Sequence, residues 1–125
     1  MENKEIKAEY TLAINEAIQM LKARDITSSR SKIANAMILD MNAPEPHNLL
    51  GILCELILDD NTARKHYRAA YALDPTYKPA CRNLERLCTF EWGIQKRDFD
   101  YGPDLEPLVS ERVNSNIKAH YFVFK

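Results

Sequence analysis

The chain has 125 residues, of which 46% are hydrophobic and 28% are charged, and its formal net charge is −1. This length is sufficient for one domain with a hydrophobic core of its own. The nearly neutral charge argues against electrostatic attraction to nucleic acid or to an anionic membrane, and no apolar run approaches the roughly 20 residues that cross a bilayer.

The N-terminus and the cysteines indicate the compartment. The first five residues, Met1 to Glu5, lack the apolar core of a secretion signal. The three cysteines, Cys54, Cys81 and Cys88, are odd in number and follow no disulfide framework. Reduced thiols are expected in the cytosol, so the sequence predicts a cytoplasmic protein.

The first 40 residues predict two helices joined by a short turn. Apolar residues recur with a period near 3.6 between residues 4 and 23, which is typical of an amphipathic helix. A break at Asp25 is followed by the capping residues Thr27 and Ser28. A second helix is expected from there to about Asp40.

The middle of the chain predicts a second helical hairpin. Its first helix is expected from about Pro46 to Leu58, because prolines in a first helical turn lose no needed hydrogen bond. The turn at residues 59–62 should place the N-cap of the next helix at Asp60 or Asn61. That fourth helix is expected to end near Leu73.

The last third of the chain predicts one closing helix and an extension. The closing helix is expected from Lys78 to about Gln95, and residues 97–104 are interpreted as a turn-rich connector. Asp104 is a candidate cap for a sixth helix that would lead to the apolar residues 121–124. These residues are expected to pack within the chain, with a symmetric dimer as the alternative. The predicted division is therefore a helical domain at 1–96 and a C-terminal extension at 97–125.

Small, aromatic and proline residues stand at fixed positions in the central hairpin. They are Leu50, Gly51, Cys54, Ala63, Tyr67, Ala70 and Pro75. This set resembles the signature of the tetratricopeptide repeat, a 34-residue pair of antiparallel helices. Residues 44–77 match the repeat well, and residues 10–43 and the closing helix are degenerate flanking units. A generic amphipathic hairpin is the alternative.

The resemblance implies an all-α fold of antiparallel helical hairpins stacked as a short right-handed superhelix, with a C-terminal helical extension. Gly51 costs about 1 kcal/mol in a helix relative to alanine. Close approach of the third and fourth helices at Ala63 is the expected compensation. Tyr67 is expected to fill the hollow between the helices.

In this family the first helices of successive hairpins line a concave groove. The wider set transferred to this chain is Thr11, Ile14, Asn15, Ile18 and Lys22, then Asn48, Leu49, Ile52, Glu55 and Leu56, and finally Arg82, Asn83, Arg86 and Phe90. The candidate peptide-binding residues among them are Ile14, Ile18, Asn48, Ile52, Arg82, Asn83 and Arg86. Amide and guanidinium groups suit a peptide backbone or a carboxylate. The alternative is that Arg82 and Arg86 are solvated charges near Glu85, and both are expected to be exposed.

The resemblance implies a non-enzymatic module that binds a peptide or helical segment of a partner protein. The alternative is a self-associating or autoinhibited unit, monomeric or homodimeric, whose tail occupies its own groove or a neighbour's. The carboxylate clamp that some relatives use on chaperones is not expected, because Ile14, Ile18 and Leu49 stand where it needs polar groups.

Neither catalysis nor a cofactor is predicted. The sequence has no nucleophile elbow, phosphate-binding glycine loop or His-Glu-x-x-His motif. Cys81 and Cys88 are separated by about 10 Å of helical rise, too far for one tetrahedral zinc ion. The basic run at residues 64–68 is expected to be a solvated face and not a nucleic-acid site.

Overall fold

Five α-helices make up most of the computed structural model, which describes residues 2–89 and 97–106. They are α1 (Glu2–Lys22), α2 (Ile26–Leu39), α3 (Glu45–Leu56), α4 (Asp60–Leu73) and α5 (Lys78–Cys88). The described residues contain no strand, and residues 97–106 are non-helical. The predicted all-α class is confirmed.

Two pairs of helix ends repeat the same geometry at a spacing of 34 residues. Asp25 caps α2 by accepting a hydrogen bond from the Ser28 amide at 3.1 Å, and Asp59 caps α4 by accepting one from the Thr62 amide at 3.2 Å. The preceding residues, Arg24 and Leu58, both adopt left-handed backbone with φ of 64° and 66°. A cap at Asp60 or Asn61 was therefore wrong by at least one residue, because Asp59 is where a side-chain oxygen reaches the free amides of the first helical turn.

The ends of α3 and α5 differ from the prediction. α3 stops at Leu56 instead of Leu58, because Leu58 is left-handed. α5 stops at Cys88 instead of about Gln95, because Thr89 turns to an extended backbone with ψ of 126°. Leu105 and Glu106 are not helical, so a sixth helix does not begin directly after Asp104. The remainder of that helix and the aromatic residues 121–124 lie outside the described residues.

The helices stack in chain order around one core. Each helix packs against the next, and α1 also packs against α3. The fully buried core residues include Ala17, Leu21, Ile33, Leu53 and Tyr67. This packing leaves one side of α1, α3 and α5 directed toward residues 97–106.

Gly51 allows α3 to approach α4 closely at the ring of Tyr67. A Cβ atom at Gly51 would lie 2.6 Å from Cδ1 and 2.7 Å from Cζ of Tyr67, much closer than atoms pack. The atoms nearest to this position belong to the Tyr67 ring, and Ala63 of α4 is also fully buried. Tyr67 is fully buried, so it does fill the space between the two helices as predicted.

A pair of histidines, His47 of α3 and His66 of α4, links these two helices. The Nδ1 atoms of His47 and His66 lie 3.2 Å apart, and their rings stack with centroids 5.4 Å apart. Burial lowers the pKa of both side chains from the usual value of 6.5, and the neighbouring His47 lowers that of His66 further. The folded protein therefore favours the uncharged form of both rings.

This pair predicts a loss of stability on mild acidification. Because both folded-state pKa values lie below the unfolded value of 6.5, the unfolded chain takes up protons first as the pH falls. The stabilisation is complete above pH 6.5 and is lost as the pH falls through the folded-state values. Thermal unfolding between about pH 7.5 and about pH 5 measures this loss. The double variant His47→Gln, His66→Gln should give a flatter profile, and an equally steep one would assign the titration to other groups.

Candidate functional site

Residues 97–106 cross the surface formed by α1, α3 and α5, and we call this surface the groove. Phe99, Tyr101 and Leu105 pack against the hydrophobic core from this side. The same segment makes hydrogen bonds to side chains on all three helices. The segment predicted to be a connector is thus the occupant of the predicted binding surface.

Two buried asparagines hold the main chain of Asp100. Asn83 of α5 accepts a hydrogen bond from the Asp100 amide at 2.9 Å and donates to its carbonyl at 2.9 Å. Asn48 of α3 donates to the same carbonyl at 3.0 Å. Asn83 also donates to Asn48 Oδ1 at 2.8 Å, which fixes the orientation of both amides. All polar main-chain groups of Asp100 are therefore satisfied by the helices.

A third asparagine repeats this arrangement on α1. Asn15 accepts a hydrogen bond from the Leu105 amide at 2.8 Å and donates to the Leu105 carbonyl at 3.0 Å. A carboxamide carries a donor and an acceptor side by side, which matches the two polar groups of one extended residue. The groove therefore binds the main chain of the segment at two residues: Asp100 is bound between α3 and α5, and Leu105 is bound on α1.

A buried carboxylate lies at the end of the groove where the segment enters. The Glu55 side chain on α3 has no exposed surface. Arg86 of α5 binds it with two hydrogen bonds of 3.0 and 2.7 Å, Arg97 of the segment donates at 2.8 Å, and the Tyr67 hydroxyl donates at 2.7 Å. Arg97 also pairs with Asp60 at 3.0 Å. The cluster supplies the partners that a buried charge requires.

The ionisation of the cluster follows from its contacts. Burial and the hydrogen bond to Glu55 raise the pKa of Tyr67, so the hydroxyl remains a donor. Burial lowers the pKa of Arg86, but its hydrogen bonds and charge attraction to Glu55 outweigh this and leave the pKa raised. Arg86 therefore stays positively charged.

Cations and one exposed ion pair surround the side chains of the segment. The guanidinium groups of Arg86 and Arg24 lie 5.2 and 5.9 Å from the ring centroid of Phe99, and the Lys22 amine lies 5.4 Å from that of Tyr101. These distances suit cation–π attraction. At the surface, a salt bridge of 2.8 Å joins the Asp100 carboxylate to α5 through Arg82.

The predicted groove residues fall into three groups, of which two are buried. The three isoleucines, Ile14, Ile18 and Ile52, are part of the core. Asn48 and Asn83 are buried beneath the segment and bind its main chain. Phe90, from the wider set, lies outside the described residues.

The third group consists of two arginines that differ from each other. The side chain of Arg82 is 63% exposed, as expected. The expectation for Arg86 was wrong: its side chain is only 17% exposed and is bound to Glu55, because the buried carboxylate on α3 needs a cation. The proposed alternative partner, Glu85, is not the residue that Arg86 pairs with.

Sequence reasoning missed the role of residues 97–106. The predicted connector, residues 97–104, carries Phe99 and Tyr101, two aromatic residues that a solvated turn does not need, and Leu105 follows it directly. A second signal was Glu55, a charged residue in the apolar part of α3, residues 49–56. A charged side chain is buried at such a position only when it is paired. The sequence offered no indication that Arg97 is one of its partners.

Two other kinds of site are absent from the described part of the chain. No three His, Cys, Asp or Glu side chains come together there in a group that could hold a metal ion. Within the same residues, no helix has the length and hydropathy needed to cross a membrane.

A comparison with known proteins found no matching family model, no similar curated protein and no similar solved structure. The groove is the candidate functional site because side chains of α1, α3 and α5 bind the main chain of residues 97–106 there.

Proposed function

We propose that this protein is a non-enzymatic binding module whose groove takes an extended segment of a partner protein. Residues 97–106 act in this proposal as an internal ligand that competes with the partner. The proposal rests on one observation: asparagine side chains bind both the amide and the carbonyl of single residues in the segment. Asn15 binds those of Leu105, and Asn48 and Asn83 together bind those of Asp100.

These hydrogen bonds support peptide binding because they involve main-chain groups and not a particular side chain. Amide and carbonyl groups are present in any extended peptide, so the same asparagines suit a segment from another chain. Asn48 and Asn83 are already locked together at 2.8 Å. A preorganised site loses less conformational entropy when its ligand binds.

The repeated helix ends support the resemblance to the tetratricopeptide repeat. The caps at Asp25 and Asp59 and the left-handed residues before them recur at 34 residues, which is the period of that repeat. In our proposal α1, α3 and α5 correspond to the groove-lining helices. A reducing compartment such as the cytosol belongs to the same proposal, since Cys54, Cys81 and Cys88 are all unpaired.

A second candidate function is a permanently closed structural unit. The contact of Arg97 with the fully buried Glu55 favours it, because releasing the segment removes one partner from a buried charge. The two candidates differ in whether the segment leaves the groove.

The variant Asp100→Pro tests the proposal in the full-length chain. Proline has no amide hydrogen to donate to Asn83, and the change also removes the ion pair with Arg82. A blocked, fluorescently labelled peptide with the sequence of residues 97–106 is added, and its anisotropy is measured. We expect at least about tenfold tighter binding to the variant than to the wild type, since a tethered segment competes at roughly millimolar effective concentration.

Asp98→Ala is the control for this experiment, because it removes a neighbouring carboxylate whose residue is exposed. Its peptide affinity should equal that of the wild type. If Asp100→Pro remains folded by circular dichroism and binds the peptide no better than the control, the segment is a fixed part of the fold and the second candidate is correct.

A further inference from the structure

The contacts of residues 97–102 involve more than the backbone, because five of these six positions place a specific chemical requirement on any segment in the groove. We propose that the partner is a protein segment with the pattern aromatic–Asp–aromatic–Gly, preceded by an arginine two residues before the first aromatic. This inference rests on the proposed function and specifies the ligand of the same groove.

The central acidic position is defined by two contacts. One oxygen of the Asp100 carboxylate pairs with Arg82 at 2.8 Å. The other accepts a hydrogen bond from the Gly102 amide at 3.0 Å and so stabilises the turn. Asparagine can make the second contact but not the charged first one. Aspartate is therefore the residue that fits both.

The glycine position is defined by backbone conformation and by space. Gly102 has φ of +83°, which residues with a side chain rarely adopt. A Cβ atom there would lie 2.5 Å from the Tyr77 hydroxyl oxygen, which belongs to the residue directly before α5. Both the torsion and the contact with Tyr77 disfavour a residue with a side chain at this position.

The flanking positions are defined by charge. Arg24 and Arg86 lie near the ring of Phe99, and Lys22 lies near that of Tyr101. Arg24 also donates a hydrogen bond to the Tyr101 hydroxyl at 3.3 Å. An aliphatic side chain would desolvate these cations without offering a π face in return. Aromatic residues on both sides of the aspartate are thus preferred.

The first position requires a cation. Arg97 reaches the buried Glu55 at 2.8 Å and Asp60 at 3.0 Å. A partner that displaces residues 97–106 removes this cation from Glu55. A partner segment with its own arginine at this position restores the ion pair with Glu55 after residues 97–106 have left the groove.

The test uses full-length Asp100→Pro as the receptor and compares blocked peptides in the same anisotropy assay. The peptides carry the sequence of residues 97–106, the same sequence with Gly102→Ala, the same with Asp100→Asn, and a scrambled sequence. We expect Gly102→Ala to weaken binding at least about tenfold and the scrambled peptide not to bind. Asp100→Asn should weaken binding a few-fold, and that difference should vanish in the receptor Asp100→Pro, Arg82→Gln.

Failure of this inference differs from failure of the proposed function. If no peptide binds, the function is wrong. If all four peptides bind equally, the groove binds peptides but the pattern is overturned. Light scattering of the wild type provides a further outcome: a dimer that exchanges residues 97–106 between subunits would make a second copy the occupant and would also overturn the proposal.

Discussion

Replacing Arg86 by methionine is expected to lower the free energy of unfolding by about 3 kcal/mol. The Glu55 carboxylate has no exposed surface, and Arg86 provides two of its hydrogen bonds. Removing one partner of a buried ion pair typically costs about 3–5 kcal/mol, because the remaining charge is left without compensation. The lower end of that range is expected, since Arg97 and Tyr67 still reach the carboxylate. Urea unfolding followed by circular dichroism measures the change.

Arg82→Met is the matched control, because Arg82 lies one helical turn before Arg86 on α5. Its side chain is 63% exposed and its ion pair with Asp100 is at the surface. Such pairs contribute roughly 0–1 kcal/mol. Equal effects of the two substitutions would mean that Glu55 does not depend on Arg86.

Adding a single methyl group at Gly51 is expected to destabilise the protein. The change Gly51→Ala improves helix propensity by about 1 kcal/mol, yet the new Cβ atom would overlap the ring of the fully buried Tyr67. Overpacking costs typically about 1–3 kcal/mol, so after the helix gain we expect a net loss of up to about 2 kcal/mol. Gly51→Leu should cost more, because its larger side chain enters the same space. Thermal and urea unfolding give the two values.

A double-mutant cycle identifies Tyr67 as the cause. In a Tyr67→Leu background the ring is absent, and Gly51→Ala should then be neutral or slightly stabilising. If Gly51→Ala costs the same in both backgrounds, α3 and α4 do not meet at Tyr67. If it stabilises the wild type, the helix crossing is wider than the distances to the Tyr67 ring indicate.

The local structure of the helical region could be predicted from the residue pattern alone. The apolar period near 3.6 predicted a helix over residues 4–23, where α1 is found, and the residue pattern of the central hairpin predicted the two helices that α3 and α4 form. Both signals act between residues a few positions apart or in repeated units, so they are present in the residue pattern. The resemblance to the repeat placed Asn48 and Asn83 among the groove residues of α3 and α5, and their side chains meet there.

The contents of the groove could not be predicted from the residue pattern, because they depend on contacts between distant parts of the chain. Asn15 meets Leu105 across 90 positions of the chain, and Glu55 meets Arg97 across 42. Hydrogen-bond partners that are so far apart in the chain depend on how the helices stack, and they cannot be predicted from local periodicity. The position of residues 97–106 was misjudged for this reason, as was the exposure of Arg86. A buried carboxylate and a chain of hydrogen-bonding groups each require partners, but which distant residues provide them is fixed by the packing of α1, α3 and α5.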